Sequence, residues 1–513
     1  MADSNNKRIA GNTLFLYTRM VIILVVTLYT SRVTLKVLGV DDYGIYQTVG
    51  GVVSFLAFLS NALATGTSRF ITFEMGKDKP RMDKLFATVR IAHIALATGI
   101  FIVGEAAGLW IIFNTLVIPA ERLAAAVFAF HFSMIATFFQ ITQVPYNATI
   151  IAHERMNVYA YISLIEAGFK LSIVFALKLF IFDKLEVYSV LMCATTVAVM
   201  FIYRIYCRKA FAETRAKLAF DKTLFKEVAG FSVWSLFSSC ASALANQGVT
   251  VVTNMFFEPA VVTLRSLALN VNNALNNFIS NFRTAVNPQI VKKYAAKDYE
   301  GSKKLALAST EYTYYLMLLI VLPLFLLIDP VLVIWLDEVP EGLVPFVQLA
   351  LIQGLFQAFD VSLYAPIYAK GRIRENAVFS PLLDFVQLPV VFALFLAGFP
   401  PITLAWVAAA AYAILGLIVK PLLVHFVVGY EYGAIMKMIG KCLVLTVVSA
   451  VIPVVSSILL DENRISGFVL ILMVSLLSVM TVVWTFGIDK KTRKLLAGWA
   501  KDLPRARRGR RLL

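Results

Sequence analysis

Apolar stretches of 20 or more residues recur along almost the whole of this sequence, separated by short clumps of charge. Wound as a helix at about 1.5 Å rise per residue, a stretch of that length crosses the ~30 Å hydrocarbon core of a bilayer. The chain is 59% hydrophobic and only 15% charged, with a mean hydropathy of +0.78. A soluble domain carries about a quarter of its residues as charges. A water-soluble fold cannot cover this much apolar helix, so the sequence predicts an all-α integral membrane protein of about fourteen transmembrane helices. The spans fall near residues 12–32, 44–66, 86–113, 122–148, 157–179, 186–206, 228–256, 260–287, 308–336, 343–369, 377–398, 402–428, 438–460 and 465–487. The first of them is too long for a signal-peptide core and lacks a small-residue cleavage site, so it reads as an uncleaved span.

Charge placement orients these helices. When the loops are assigned alternately to the two sides, one side collects 37 of the 47 lysines and arginines, including those of the N-terminus and of the tail from Lys490 to Arg511. The other side holds Arg32, Lys36, Arg122, Lys178, Lys184 and Arg464, and Arg19, Lys170, Arg265 and Arg283 lie inside spans. The basic side is expected to be cytoplasmic, with both termini there. The net charge of +16 therefore reads as a topology signal, not as a nucleic-acid surface. The external loops are very short, for example FFEPA, DEVPEG and GFPP. None can fold as a domain, which weighs against a membrane glycosyltransferase or polymerase. The four cysteines show no CxxC spacing and the four histidines no HExxH, so neither a metal site nor a cofactor is expected. There is no Walker motif for a nucleotide.

A weak internal repeat pairs SNALATGTSRFITFEMGKD at 60–78 with SNFRTAVNPQIVKKYAAKD at 280–298, at an offset of 220. It is echoed by Pro145-Tyr146-Asn147-Ala148 against Pro366-Ile367-Tyr368-Ala369. Two six-helix halves that both enter from the cytoplasm form parallel repeats. The chain then divides into an N-lobe at 1–210, a C-lobe at 211–430, an extra helix pair at 431–487 and a basic tail at 488–513.

Polar residues inside spans are costly and mark cavities or partners. In the eighth span Arg265, Asn272, Asn276 and Arg283 fall within about 20° of one line at 100° per residue, and Asn273 lies beside it. Other spans show comparable lines: Asn12, Arg19 and Thr30; Gln47, Ser54, Asn61 and Thr65; Ser235, Ser239, Ser242 and Asn246; Gln353, Gln357, Asp360 and Tyr364. Five helices, each with one polar face, predict a shared wet cavity. The competing reading is that these side chains only bond neighbouring helices. The candidate substrate-binding set is Arg19, Arg265, Arg283, Asn272, Asn276, Asn61, Asn246 and Gln357. Arg19 and Arg283 can alternatively snorkel to the surface, and Arg265 lies towards the outer end of its span. Asp360, Asp384 and Glu105 are candidate ion-coupling acids, or Asp360 and Asp384 neutralise the arginines; Glu105 has no partner apparent in sequence. Glu166 and Lys170, four apart, are expected to pair.

Three segments carry a family resemblance. They are the first hairpin, with Arg19 and LGVDDYGIYQTVGG at 38–51; the stretch 60–78; and VPYNATIIAHERMNVYAYISLIEAGFKL at 144–171. Together they resemble the polysaccharide-transport branch (O-antigen and capsule repeat-unit flippases) of the multidrug/oligosaccharidyl-lipid/polysaccharide exporter superfamily. The resemblance implies two six-helix lobes in a V shape, rocking to expose a central cavity to either side, with two extra C-terminal helices. It implies a flippase that carries a polyprenyl-pyrophosphate oligosaccharide across the bacterial inner membrane, and no catalytic residue. The cationic cavity of the family is carried over to Arg19 and, less directly, to Arg265 and Arg283. The implied partners are the lipid-linked cargo, the bilayer and the polysaccharide polymerase or export machinery. The alternative within the superfamily is a cation-coupled multidrug exporter. Such pumps commonly carry an acid in the first helix, where this sequence has Arg19.

Overall fold

The computed structural model describes residues 2–56, 81–153, 155–179, 181–217, 219–227, 247–370, 372–462 and 464–489, with isolated residues between and beyond them. Side chains are described from Ile22 onward, apart from those at 54–56, 156, 280–285, 288, 295, 373, 374 and 377. Among the described residues every regular element is helical, and eleven helices are long and apolar enough to cross a membrane. The chain is a multi-pass membrane protein.

The helices are α1 (Ala2–Leu56), α2 (Met82–Asn114), α3 (Leu123–Ala152), α4 (Met156–Ala176), α5 (Lys184–Ala210), α6 (Val249–Phe256), α7 (Pro259–Ala295) and α8 (Tyr299–Leu326). They continue with α9 (Ile328–Leu336), α10 (Leu343–Ser362), α11 (Tyr364–Lys370), α12 (Ile373–Leu396), α13 (Thr403–Ile414), α14 (Tyr432–Leu459) and α15 (Ile465–Val482). The fourteen expected spans map onto this order with identifiable departures. The first two expected spans form one helical run, α1, folded at Gly39, whose φ of 82° and ψ of 174° suit a residue without a Cβ. The seventh lies largely outside the described residues. The eighth, α7, is not among the eleven apolar helices, because its central turns carry Asn270, Asn272, Asn273, Asn276, Asn277 and Asn281.

Two expected spans are each interrupted by a single turn residue shortly before a proline, although 343–370 still runs as one membrane-length helix. The span at 308–336 divides at Leu327 and that at 343–369 at Leu363. Pro330 and Pro366 have no N–H to give to the carbonyls of Leu326 and Ser362, the last residues of α8 and α10, so the helical ladder loses a bond at each turn. The span at 402–428 stays continuous but changes pitch: π turns at Leu415–Val419 and Val424–Val428 flank the α-helical Lys420–Leu423.

The chain forms two compact units. One comprises Met1–Asn270, Trp335–Phe346 and Ala377–Ala408, and the other Val271–Ile334, Val347–Asn376 and Ala409–Leu513. In the first, α2 and α3 approach so closely that a Cβ on Gly108 would stand 2.2 Å from the Phe130 ring. Around that contact Ile45, Val49, Ala97, Ala126, Phe130 and Met134 form a buried core. At one end Arg122 grips two carboxylates: Nε and Nη2 donate to Asp42 at 2.8 and 2.6 Å, and Nη1 and Nη2 to Asp183 at 2.5 and 3.1 Å. Asp183 also caps α5 by accepting from the backbone N–H groups of Leu185 and Glu186. One guanidinium thus ties the α1 hairpin to the starts of α3 and α5. Arg122→Ala is expected to lower the stability of the inserted protein by about 2–3 kcal/mol, because two partly buried carboxylates lose their partner. Thermal unfolding in detergent measures it, and an unchanged midpoint would show that solvent compensates both acids.

In the second unit α14 and α15 dock on α8. The Tyr314 hydroxyl lies 2.9 Å from Thr446 Oγ1, and Lys441 Nζ donates to Glu311 Oε2 at 2.9 Å and to the Gly487 carbonyl at 2.8 Å. Leu318, Leu322 and Val479 fill the seam. The other faces of the pair, including Val447, Val451, Ile458, Leu470 and Leu477, are exposed, as a lipid-facing surface requires.

Candidate functional site

A polar cavity of about 350 Å³ lies in the first unit, lined by α1 beyond its bend, α3, α4, α5 and the turn before α6. Helical spacing builds its walls. Ser133, Thr137, Gln140 and Gln143 recur every three or four residues along α3 and so share one face. Gln47 comes from α1, Thr196 from α5, Gln247 from the turn, and Glu166 and Lys170 from successive turns of α4. Gly50 and Gly51 keep the α1 wall flat.

The chemistry of the lining is specific. Four primary amides and the aliphatic hydroxyls of Ser133, Thr137 and Thr196 offer neutral donors and acceptors. The hydroxyls of Ser133 and Thr196 give their protons to the backbone carbonyls of Ala129 and Met192, at 2.7 and 3.1 Å, and so turn lone pairs outward. Among the described residues Gln140 and Gln143 make no hydrogen bond, which leaves both of their amides to the cavity. Lys170 Nζ donates to Glu166 Oε1 at 2.7 Å. The pair is 44% and 39% exposed, so it is not a sealed core pair: it presents a cation, already partnered, to the cavity. The expected pairing is present, and it has a location that helical spacing alone did not reveal.

The sequence-derived candidates fall into two groups, those whose side chains are described and those whose side chains are not. Arg19, Asn61, Asn246 and Arg283 have side chains outside the described ones. Arg265 is described and is 6% exposed; its Nη1 donates to Thr250 Oγ1 at 2.8 Å. Asn272 and Gln357 are 4% and 3% exposed. Asn272 Nδ2 donates to Gln357 Oε1 at 3.2 Å and to the Ala350 carbonyl at 3.3 Å, and Asn276 Nδ2 donates to Asn272 Oδ1 at 2.9 Å. In this conformation Arg265, Asn272 and Gln357 are buried, and the amides of Asn272 and Gln357 bond one another across α7 and α10.

The acidic candidates also acquire partners. Glu105 Oε2 lies 2.8 Å from His131 Nδ1 across α2 and α3, a contact hidden by 26 residues of separation. Asp384 accepts from Gln387 Nε2 at 3.2 Å on its own helix. Asp360 Oδ1 lies 3.1 Å from Lys420 Nζ. Lys420 lies inside the predicted span at 402–428. It is 3% exposed, bonded to Asn376 Oδ1, with its ammonium 5.5 Å from the centre of the Tyr364 ring. A lone lysine within a span costs roughly 3 kcal/mol on insertion scales, which these partners offset. No signal in the hydropathy pattern could have paired residues 360 and 420; only their shared unit does.

No protein-family model and no curated protein matches the chain. Solved structures do match it in fold. The lipid II flippase MurJ in an inward closed conformation superposes with a TM-score of 0.73 at 11% identity, covering 92% of this chain and 98% of that one. An inward-facing multidrug resistance MATE family transporter of the MOP superfamily gives 0.69 at 13% identity, over 80% of this chain and 96% of that one. A MOP superfamily transporter from Pyrococcus furiosus, described by a binding pocket of reverse polarity, gives 0.58 at 13% identity, over 82% and 95%. The chain has the fold of these transporters.

Proposed function

We propose that this protein is a flippase that moves a polyprenyl-pyrophosphate-linked oligosaccharide from the inner to the outer leaflet of the bacterial inner membrane, for surface polysaccharide synthesis. The observation that carries the reading is the cavity of about 350 Å³, amide- and hydroxyl-lined, with Lys170 at its wall. Small-ligand sites span about 300–1,000 Å³, so this one has room for part of a sugar head. The lipid tail remains in the bilayer. The head cannot cross hydrocarbon bare, because burying an unpaired charge is prohibitive. Amides and hydroxyls can replace water around sugar hydroxyls, and a lysine ammonium can partner phosphate. The likeness in fold to a lipid II flippase supports the same reading.

The lobes at 1–210 and 211–430, the pair at 431–487, the cytoplasmic termini and the tail at 488–513 belong to this proposal. So does recognition of the pyrophosphate by Arg19 and Arg283, with Asn61 and Asn246 contributing in the transporting cycle. Exporting a negative charge from a negative cytoplasm is downhill by about 2.3 kcal/mol per charge per 100 mV, which can drive transport without a nucleotide.

Proteoliposomes test the reading. The protein is expected to move a fluorescent polyprenyl-pyrophosphate oligosaccharide in response to an imposed potential, and Arg19→Ala and Arg283→Ala to abolish movement without loss of inserted protein. The likeness to MATE transporters favours a second reading, a cation-coupled multidrug exporter. Efflux of a cationic dye under a sodium or proton gradient, with the lipid-linked sugar immobile, would establish that reading instead.

A further inference from the structure

We propose that the Lys420 ammonium is a tethered cation filling a site that Asp360, Asn376 and the Tyr364 ring build for a monovalent cation, so that the second unit works without a bound inorganic ion. The neighbours of the ammonium are alike in kind. The Asp360 carboxylate lies 3.1 Å away, the Asn376 side-chain oxygen accepts from it, and the face of Tyr364 stands 5.5 Å from it, centre to nitrogen. Carboxylate and amide oxygens are the ligands that hard cations take, and an aromatic face attracts any cation. They come from three segments, α10, α11 and α12, while the cation comes from a fourth, at 420. In a simple buried salt bridge one acid and one base meet; here several cation-seeking groups converge on a single nitrogen.

The local backbone is shaped to deliver that nitrogen. Gly416 lies against α10, where a Cβ would stand 2.7 Å from the Phe356 carbonyl and 3.3 Å from Phe359 Cβ. Lys420 and Asp360 each follow this contact by four residues, one helical turn. Close approach at Gly416 and Phe356 therefore sets the distance between Lys420 and Asp360. The π turns at Leu415–Val419 and Val424–Val428 bracket the lysine, and such turns rotate side chains out of the α-helical register. An acid inside a membrane span commonly serves a transported or coupled ion. Here the chain itself supplies the ion and holds it by a covalent tether.

The consequence is specific. Truncating Lys420 should vacate a site that an inorganic cation can enter. The test uses the intact protein in nanodiscs, with thermal unfolding followed in sodium, potassium and choline chloride at one ionic strength. The wild type is expected to unfold at the same temperature in all three salts. K420M is expected to unfold several degrees lower in choline chloride and to recover, saturably, as sodium or potassium replaces choline. D360N/K420M, which removes the carboxylate as well, is expected to show no dependence on the cation. Specific stabilisation of the wild type by sodium or potassium would overturn the proposal, because an ion would then bind with the lysine in place. A K420M protein that shows no cation dependence, or that cannot be recovered even in sodium or potassium chloride, would overturn it too. So would a cation response retained in the double variant. The readout is cation binding, so it stands or falls independently of which cargo the protein moves.

Discussion

Lys170→Met is expected to lower transport of the lipid-linked sugar by roughly tenfold to a hundredfold, while the protein remains inserted and abundant. A hydrogen bond to a charged group contributes about 1.5–3 kcal/mol, and each 1.4 kcal/mol is a factor of about ten. The lysine has a second role, as partner of Glu166 at 2.7 Å, and a cycle of variants separates the two. If Lys170 only neutralises Glu166, the double variant Glu166→Gln/Lys170→Met regains wild-type transport, because neither charge is left alone. If it recognises phosphate, Glu166→Gln alone transports at least as well as wild type and the double variant stays inactive. Initial rates in proteoliposomes, at matched protein orientation, decide between them. Restored transport in the double variant would remove Lys170 from the site.

Gly44→Val should fail one stage earlier, before a folded protein exists. A Cβ at this position would lie 2.0 Å from the Pro259 carbonyl oxygen and 2.9 Å from Thr263 Oγ1. The obstacle is backbone, held in place by Thr263 Oγ1 donating to the Val40 carbonyl at 2.6 Å, so it cannot rotate away as a side chain can. Overpacking a core typically costs about 1–3 kcal/mol when side chains can adjust, and ~3 kcal/mol or more is expected where they cannot. The yield of monodisperse protein after detergent extraction is the measurement. Gly99→Ala is the control, since its Cβ meets nothing within 4 Å. Equal yields of the two variants would show that α1 and α7 can part at this contact without loss of the fold.

These positions also mark how far local sequence carries. The segment LGVDDYGIYQTVGG, singled out as a family-like stretch, turns out to concentrate several separate jobs. Gly39 makes the bend, Asp42 meets Arg122, Gly44 allows the contact with Pro259, and Gln47, Gly50 and Gly51 wall the cavity. Sequence identified the stretch but not the division of labour within it, since every job except the bend needs partners 80 or more residues away. The interruptions at Leu327 and Leu363 were legible in principle. Pro330 and Pro366 stand four residues after the last carbonyl of each helix, and an apolar run alone conceals that loss of a donor. The buried amide network of Asn272, Asn276 and Gln357 shows the converse case. Its periodicity was visible on each helix, yet the same pattern serves a water-lined face or a bonded interior, and only packing distinguishes them.

Run length and hydropathy were enough to establish that the chain is helical and embedded in a membrane, and roughly where the described spans lie. Those outcomes follow from local quantities: apolar run length against bilayer thickness, and the need for every backbone donor in lipid to bond within its own helix. The tertiary structure alone decided which polar residues became a cavity and which became interior. It set Gln140, Gln143, Glu166 and Lys170 around open space, closed Asn272 onto Gln357, and brought Lys420 to Asp360. The physical reason is that a polar group in a membrane must be paired or wetted. Which of the two it becomes depends on partners distant in sequence, and hydropathy, a property of single residues in a window, carries no record of them.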